Sequence, residues 1–248
     1  MDYRIIEKEI FYRDKRIYGL LYQPNKEKFP LLIISHGLGG SYQGSQDFEE
    51  CFAENGIGVY AFDFCGGSDN TRSSHTPLDM SVVSEAEDLE AVLTEFENDE
   101  HVDTDRIFLL GKSQGAFVST IVLSKHPEIR AFIGLYPGYV LQERIREEME
   151  KYEEIPEKLE ILWITVGRKY VEDLLSLDIY EMMKECDSDV LLIHGMKDSI
   201  VPFEFTQKAY EAFRNCTLVT LQDAEHGFHG PEREGVVKMC LDFVKERI

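Results

Sequence analysis

Six short runs of this chain are apolar without alternation: LLIIS at 31–35, IGVYAFDF at 57–64, RIFLLG at 106–111, RAFIGLYP at 130–137, VLLIHG at 190–195 and TLVTL at 217–221. Continuous apolarity over so few residues suits a strand covered on both faces. Helical patterns lie between and after them: SQDFEECFAENG, SVVSEAEDLEAVLTEFEND, QGAFVSTIVLSKHPE, FEFTQKAYEAFRN and EREGVVKMCLDFVKERI. In the second, Val82, Ala86, Leu89, Leu93 and Phe96 recur at helical spacing, with Glu85, Glu87 and Asp88 near the positive amino-terminal end. Alternating strands and helices predict an α/β fold with a mostly parallel sheet and right-handed crossovers. Two further strands, near EKEIFYR and RIYGLLYQP, form an antiparallel edge pair with a turn expected at Asp14-Lys15.

The spacing between strands is even except in two places. After the strand at 57–64, residues 65–80 read as a polar loop rich in Gly and Ser. The stretch from Tyr139 to Asp187 is too long for an ordinary connection and reads as an inserted cap. The expected organisation is a core of residues 1–138 and 188–248 with a cap at 139–187. Within the cap, Leu141, Ile145, Met149 and Tyr152 mark an apolar stripe on a charged helix. A strand or hairpin at EILWITVG and one helix at VEDLLSLDIYEMMK complete it.

Composition narrows the function classes. At 248 residues and 43% hydrophobic content the chain can bury a substantial core, and single α/β domains of this size are common. A formal charge of -21 argues against a nucleic-acid partner, which would demand clustered Lys and Arg. MDYRIIEKEIFYRDKR has no uninterrupted apolar stretch, and no later run approaches the roughly 20 residues that span a bilayer. Cys51, Cys65, Cys186, Cys216 and Cys240 are odd in number and lack CxxC pairs, which fits reduced thiols. The expectation is a soluble, unprocessed cytoplasmic protein without membrane association.

Gly111-Lys112-Ser113-Gln114-Gly115 carries the chemistry. It places a serine between two glycines, directly after an apolar strand and before a helix, the context of a nucleophile elbow. A serine hydroxyl needs a base, and the base an orienting carboxylate. Asp198, after VLLIHG, and His226, after TLVTL, follow in the order Ser, Asp, His, each past the carboxyl end of a strand. His229 competes as base, and Asp223 or Glu225 as acid. His36 and His194, each before a glycine at a strand end, read as structural. Asp63 and Asp69 read as loop ties. Tyr139, Tyr152, Trp163 and Tyr170 read as packing more readily than as a substrate box, and Cys51 and Cys65 as buried thiols. A metal site at His226 and His229 lacks a third ligand with suitable spacing.

With these residues in place the chain resembles an α/β-hydrolase over nearly its whole length. The resemblance implies Ser113 as nucleophile, His226 as base and Asp198 as acid. It also implies an oxyanion loop at His36-Gly37-Leu38-Gly39-Gly40, with the backbone amides of Leu38 and Gln114 as donors. More narrowly, FDFCGGSDN, MSVVSEAEDLEAV and VGRKYVEDLLSLDIYEMM are similar to runs in bacterial cinnamoyl and feruloyl esterases. That resemblance implies that Gln142 and Tyr170 contact the acyl group or a phenolic hydroxyl. The expected activity is a serine carboxylesterase acting on small or aromatic, including hydroxycinnamoyl, esters, with no cofactor and no metal. A peptidase or thioesterase of the same fold and a catalytically silent binding protein are its rivals.

Overall fold

The computed structural model describes residues 2–248. In chain order it runs β1 (Tyr3–Tyr12), β2 (Lys15–Pro24), β3 (Phe29–Ser35), a 3-10 turn (Tyr42–Ser45), α1 (Gln46–Glu54), β4 (Gly58–Phe62), α2 (Val82–Glu97), β5 (Val102–Lys112), α3 (Gln114–Leu123) and β6 (Ala131–Leu135). It continues with α4 (Leu141–Met149), β7 (Lys158–Ile161), β8 (Ile164–Gly167), α5 (Arg168–Ser176), α6 (Ile179–Lys184), β9 (Asp189–Gly195), α7 (Phe203–Ala212), β10 (Cys216–Leu221) and α8 (Gly230–Lys245). Eight strands form one sheet in the order β1-β2-β4-β3-β5-β6-β9-β10. β2 is antiparallel to β1 and β4, and every pairing from β4 to β10 is parallel. This is the α/β-hydrolase fold that the resemblance implied.

The continuous apolar runs divide their side chains between two cores. Leu31, Ile33, Tyr60, Phe62, Ile107, Leu109 and Leu192 meet α2, α3 and α7 on one face. Leu32, Ile34, Val59, Ala61, Phe108, Leu110 and Ile193 meet α1 and α8 on the other. Alternation is thus present in space, but with both faces apolar no polar period marks it in the sequence. Among the described residues no helix is long and apolar enough to cross a membrane.

The first hairpin turns one residue earlier than expected. Tyr12 pairs with Lys15, so Arg13 and Asp14 make the turn, with Arg13 at φ 53°. Residues 139–187 contribute Tyr139, Leu141, Ile145, Leu159, Val166, Tyr170, Leu174 and Met183 to the same core that covers the α3 face of the sheet. The insert therefore has no separate core. Its expected single helix at VEDLLSLDIYEMMK is two, α5 and α6, broken where Leu177 turns extended and Asp178 caps α6 by accepting from the Glu181 amide. Tyr152 lies past the end of α4 and is exposed, so the α4 stripe ends at Met149.

Buried ion pairing anchors the loop at 65–80. Asp88 of α2 accepts from the Lys15 ammonium at 2.6 Å and from the Cys65 amide at 2.8 Å. Burial pushes the Asp88 carboxyl up, and Lys15 and the Cys65 amide pull against it. Asp63 ties the same loop from the other side, accepting from the Arg72 amide at 2.7 Å and from Tyr42 of the 3-10 turn at 2.8 Å. Asp69 is exposed. Lys15→Met should destabilise the protein by about 3–5 kcal/mol, because it leaves a buried carboxylate without its cation. Urea unfolding reads this as a lower midpoint, and an unchanged midpoint would show that the pair contributes nothing.

Candidate active site

Sheet register brings the site together. Ser35 of β3 pairs with Gly111 of β5, Lys112 with Leu135 of β6, Leu135 with Ile193 of β9, and Gly195 with Leu221 of β10. The carboxyl ends of these parallel strands form one rim, where open α/β sheets bind ligands. Ser113 stands there between β5 and α3 at φ 49° and ψ -117°, a conformation costly for a residue with a side chain. The flanking glycines allow the turn. A Cβ at Gly111 would lie 2.4 Å from the Ala116 Cα, and one at Gly115 would lie 2.3 Å from the Ser35 carbonyl oxygen. Any larger residue forces α3 away from β3.

The three expected residues stand in one line. His226 Nε2 lies 3.2 Å from Ser113 Oγ, and His226 Nδ1 lies 2.7 Å from Asp198 Oδ2. The other Asp198 oxygen accepts from the Ile200 and Val201 amides at 2.9 and 2.8 Å. Burial pushes the Asp198 carboxyl up, but the bonds from His226 and these amides outweigh it and hold the group below its ordinary value. A charged Asp198 fixes the proton on Nδ1 and leaves Nε2 as the acceptor facing Ser113. His226 is further held by the ring of Tyr136, edge-on at 4.6 Å.

The competing candidates lie elsewhere. Asp223 is exposed and pairs with Lys197 at 2.7 Å, Glu225 is exposed, and His229 sits at the start of α8. His36 is buried, with Nδ1 2.8 Å from the Gly37 carbonyl and Nε2 accepting from the Phe64 amide at 3.1 Å. His194 is buried between the Val201 carbonyl at 3.0 Å and the Thr206 hydroxyl at 2.8 Å. Burial lowers the pKa of both rings, so both are neutral ties between loops. The five cysteines are free, and Cys51 is only partly buried. Among the described residues no group of three or more His, Cys, Asp or Glu is placed to hold a metal ion.

The loop at 36–40, expected to form an oxyanion hole, lies against the turn at Ser113: a Cβ on Gly37 would be 3.1 Å from the Ser113 Cβ. Gly40 donates to the Gly37 carbonyl at 2.9 Å and Gly39 to Gly67 at 3.0 Å, a turn that leaves the Leu38 amide between them. Among the described residues, neither the Leu38 nor the Gln114 amide donates to a protein acceptor.

A cavity of about 220 Å³ opens beside Ser113, lined by Leu38, Ser41, Lys112, Tyr136, Trp163 and His226 among others. Gln142 and Tyr170, implied as acyl or phenol contacts, do not line it. Tyr170 is fully buried and donates to Gln114 Oε1 at 2.6 Å. Gln142 is buried in the insert, donating to the Leu174 and Leu177 carbonyls at 2.9 and 2.8 Å and accepting from Ile179 across the α5–α6 break. Both side chains are buried and bonded to other protein groups away from the cavity. Two other aromatic residues line the cavity. Trp163, read as packing, is 58% exposed at the β7–β8 tip, its indole against Gly39. Tyr136 sits one residue past β6 at φ 37°, and only its strand-end position signalled it.

The family model described as serine aminopeptidase, S33 matches residues 26–175, more than half of the chain, and a second, described as TAP-like protein, matches residues 177–246. A bifunctional esterase/perhydrolase of Acinetobacter calcoaceticus is 33% identical over 69 residues, which is 27% of this chain and 25% of that relative's length. The ferulic acid-bound structure of Est1E from Butyrivibrio proteoclasticus is similar at a TM-score of 0.88 and 24% identity, covering 97% of this chain and 98% of that one. Acetyl xylan esterase 1 from a Thermoanaerobacterium species is similar at a TM-score of 0.70 and 18% identity, covering 98% and 88%. With the serine elbow at its sheet rim and the S33 model spanning most of its core, the chain belongs to the α/β-hydrolase family that this model describes.

Proposed function

We propose that the protein is a serine carboxylesterase in which Ser113, His226 and Asp198 form the catalytic triad. The observation that carries this reading is the hydrogen-bonded line from Asp198 through His226 to a serine held in a strained turn at the sheet rim. His226 Nε2 takes the Ser113 proton as Oγ attacks the ester carbonyl carbon. The amides of Leu38 and Gln114 stabilise the oxyanion, each worth about 2.7–4 kcal/mol in comparable sites. Collapse expels the alcohol, which receives the proton from His226, and leaves an acyl-serine. Water then attacks with His226 again as base, releasing the acid and restoring Ser113.

The cavity supports a compact substrate. Its 220 Å³ suits a short or single-ring group, and Tyr136 and Trp163 offer it aromatic walls. That Est1E binds ferulic acid on a similar fold favours a hydroxycinnamoyl acyl group among such esters. The lining contains Lys112 but no carboxylate to bind the free amino terminus of a peptide, which favours esters over aminopeptidase substrates despite the description of the matching family.

Ser113→Ala should abolish both ester turnover and covalent labelling by a fluorophosphonate, and labelling at the native rate would remove Ser113 from its role. Asp198→Asn should lower kcat by about 10⁴-fold, because an amide no longer enforces the Nδ1 proton or stabilises the imidazolium. Initial rates on p-nitrophenyl acetate, butyrate and octanoate, methyl ferulate, a peptide amide and an acyl-CoA decide the substrate class. A kcat/KM for methyl ferulate equal to that of the best activated ester supports the hydroxycinnamoyl acyl group, and turnover confined to short p-nitrophenyl esters rejects it.

A further inference from the structure

The residue after the nucleophile has a side chain with no role in the relay, and it is nevertheless held at both ends. Gln114 is 1% exposed at the first position of α3, a helix whose other early residues are Gly115, Ala116, Phe117 and Val118. Its Oε1 accepts from the Tyr170 hydroxyl of α5 at 2.6 Å, and its Nε2 donates to Glu85 Oε2 of α2 at 2.8 Å. Three helices therefore meet at one amide. A buried carboxyl is a costly way to fill a core, since an apolar side chain of similar volume often serves stability as well or better. The arrangement is better explained by what it holds: the backbone N–H of Gln114 belongs to the same residue, in the first turn after a strained serine. A residue at a helix start has no N–H bond of its own to fix it. A side chain braced on two sides limits how far that peptide can swing.

We propose that Glu85 is a positioning residue of the oxyanion hole, acting through the Gln114 side chain to aim the Gln114 amide, with Tyr170 as the brace from the insert. The inference rests on the carboxylesterase reading for its reaction, and it assigns to Tyr170 a role behind the hole in place of a contact with substrate. It also implies a pH dependence separate from that of the triad. The charged groups facing Glu85 are Asp88 one turn along α2 and Lys15 of β2, which is paired with Asp88. α3 presents the Gln114 amide and α5 the Tyr170 phenol, while Lys169 and Asp173 of α5 are engaged with Ser81 and each other. Burial pushes the Glu85 carboxyl up to about 8, Asp88 adds to that, and the Gln114 bond and Lys15 oppose it. Burial thus favours the neutral carboxyl near pH 7. Its ionisation above pH 8 puts a negative charge behind the hole in which another negative charge must develop.

The test compares wild type with Glu85→Gln, Glu85→Leu and Tyr170→Phe, using p-nitrophenyl butyrate turnover from pH 6 to 9.5 and fluorophosphonate labelling of Ser113. Glu85→Gln keeps an acceptor for Gln114 and never ionises. It should retain kcat within about threefold at pH 7 and lack the fall in kcat expected of the wild type above pH 8. Glu85→Leu strands the Gln114 donor and should lower kcat at least tenfold with KM within twofold, with labelling slowed in parallel. Tyr170→Phe, which keeps the ring, should lower kcat by a smaller factor in the same sense. A wild-type kcat in a folded Glu85→Leu protein overturns the proposal, as does an identical alkaline limb in wild type and Glu85→Gln. If Glu85→Leu does not fold, the Glu85→Gln pH profile and Tyr170→Phe decide. Labelling also places an oxygen in the hole. If the wild type labels at Ser113 but turns over no ester, the carboxylesterase reading fails while the labelling rates still judge Glu85.

Discussion

The passage of the first turn of α3 over the carbonyl oxygens of Ser35 and His36 is the constraint on which the site depends. A Cβ on Gly115 would lie 2.3 Å from the Ser35 oxygen and 2.5 Å from the His36 oxygen, closer than any side chain allows. The turn that achieves this forces Ser113 into a positive φ and lifts its hydroxyl above the sheet. Such a conformation persists only where the surroundings over-determine it. Here β5 is paired in parallel on both sides, by β3 and β6, and the Ser113 amide is itself bonded to the Leu135 carbonyl at 3.0 Å. The same parallel pairing delivers Asp198 and His226 to the rim, because each follows a neighbouring strand.

Three histidines at strand ends show how surroundings divide one residue type into different tasks. His36 and His194 are buried with both ring nitrogens held by backbone or hydroxyl partners, so burial keeps them neutral and they tie loops. His226 keeps one nitrogen on a carboxylate and turns the other to a serine hydroxyl beside a cavity. A proton on His36 meets a desolvated site that also feels Lys112. Of the three rings, only that of His226 faces both a carboxylate and a serine hydroxyl.

Legibility in the sequence followed the range of the physical signal. Short apolar runs, the glycine-flanked serine and the chain order of Ser113, Asp198 and His226 are local, and each was readable because strands, tight turns and strand-end loops impose their demands within a few residues. The helix break at Leu177 was not readable, since the bonds that stabilise it come from Gln142, about 35 residues earlier. Gln142 and Tyr170 themselves were placed by resemblance at a ligand. Which way a polar side chain turns in a core is decided by where its hydrogen-bond partners lie, and for these two the partners are protein groups on other helices. Trp163 reached the cavity because the β7–β8 hairpin folds onto Gly39, a contact between segments far apart in the chain.

By itself the sequence determined the architecture and which three residues stand together at the sheet rim, because continuous apolar strands call for cover on both faces and a Gly-x-Ser-x-Gly run between strand and helix calls for a sharp bend. The tertiary structure alone decided the side of the protein on which each buried polar group finds its partner. It turned Tyr170 toward Gln114, set Glu85 beneath the elbow, and left Tyr136 and Trp163 to wall the cavity. The physical reason is that hydrophobic burial is non-directional and legible as pattern, whereas a hydrogen bond needs a particular atom at about 3 Å, and only packing supplies it.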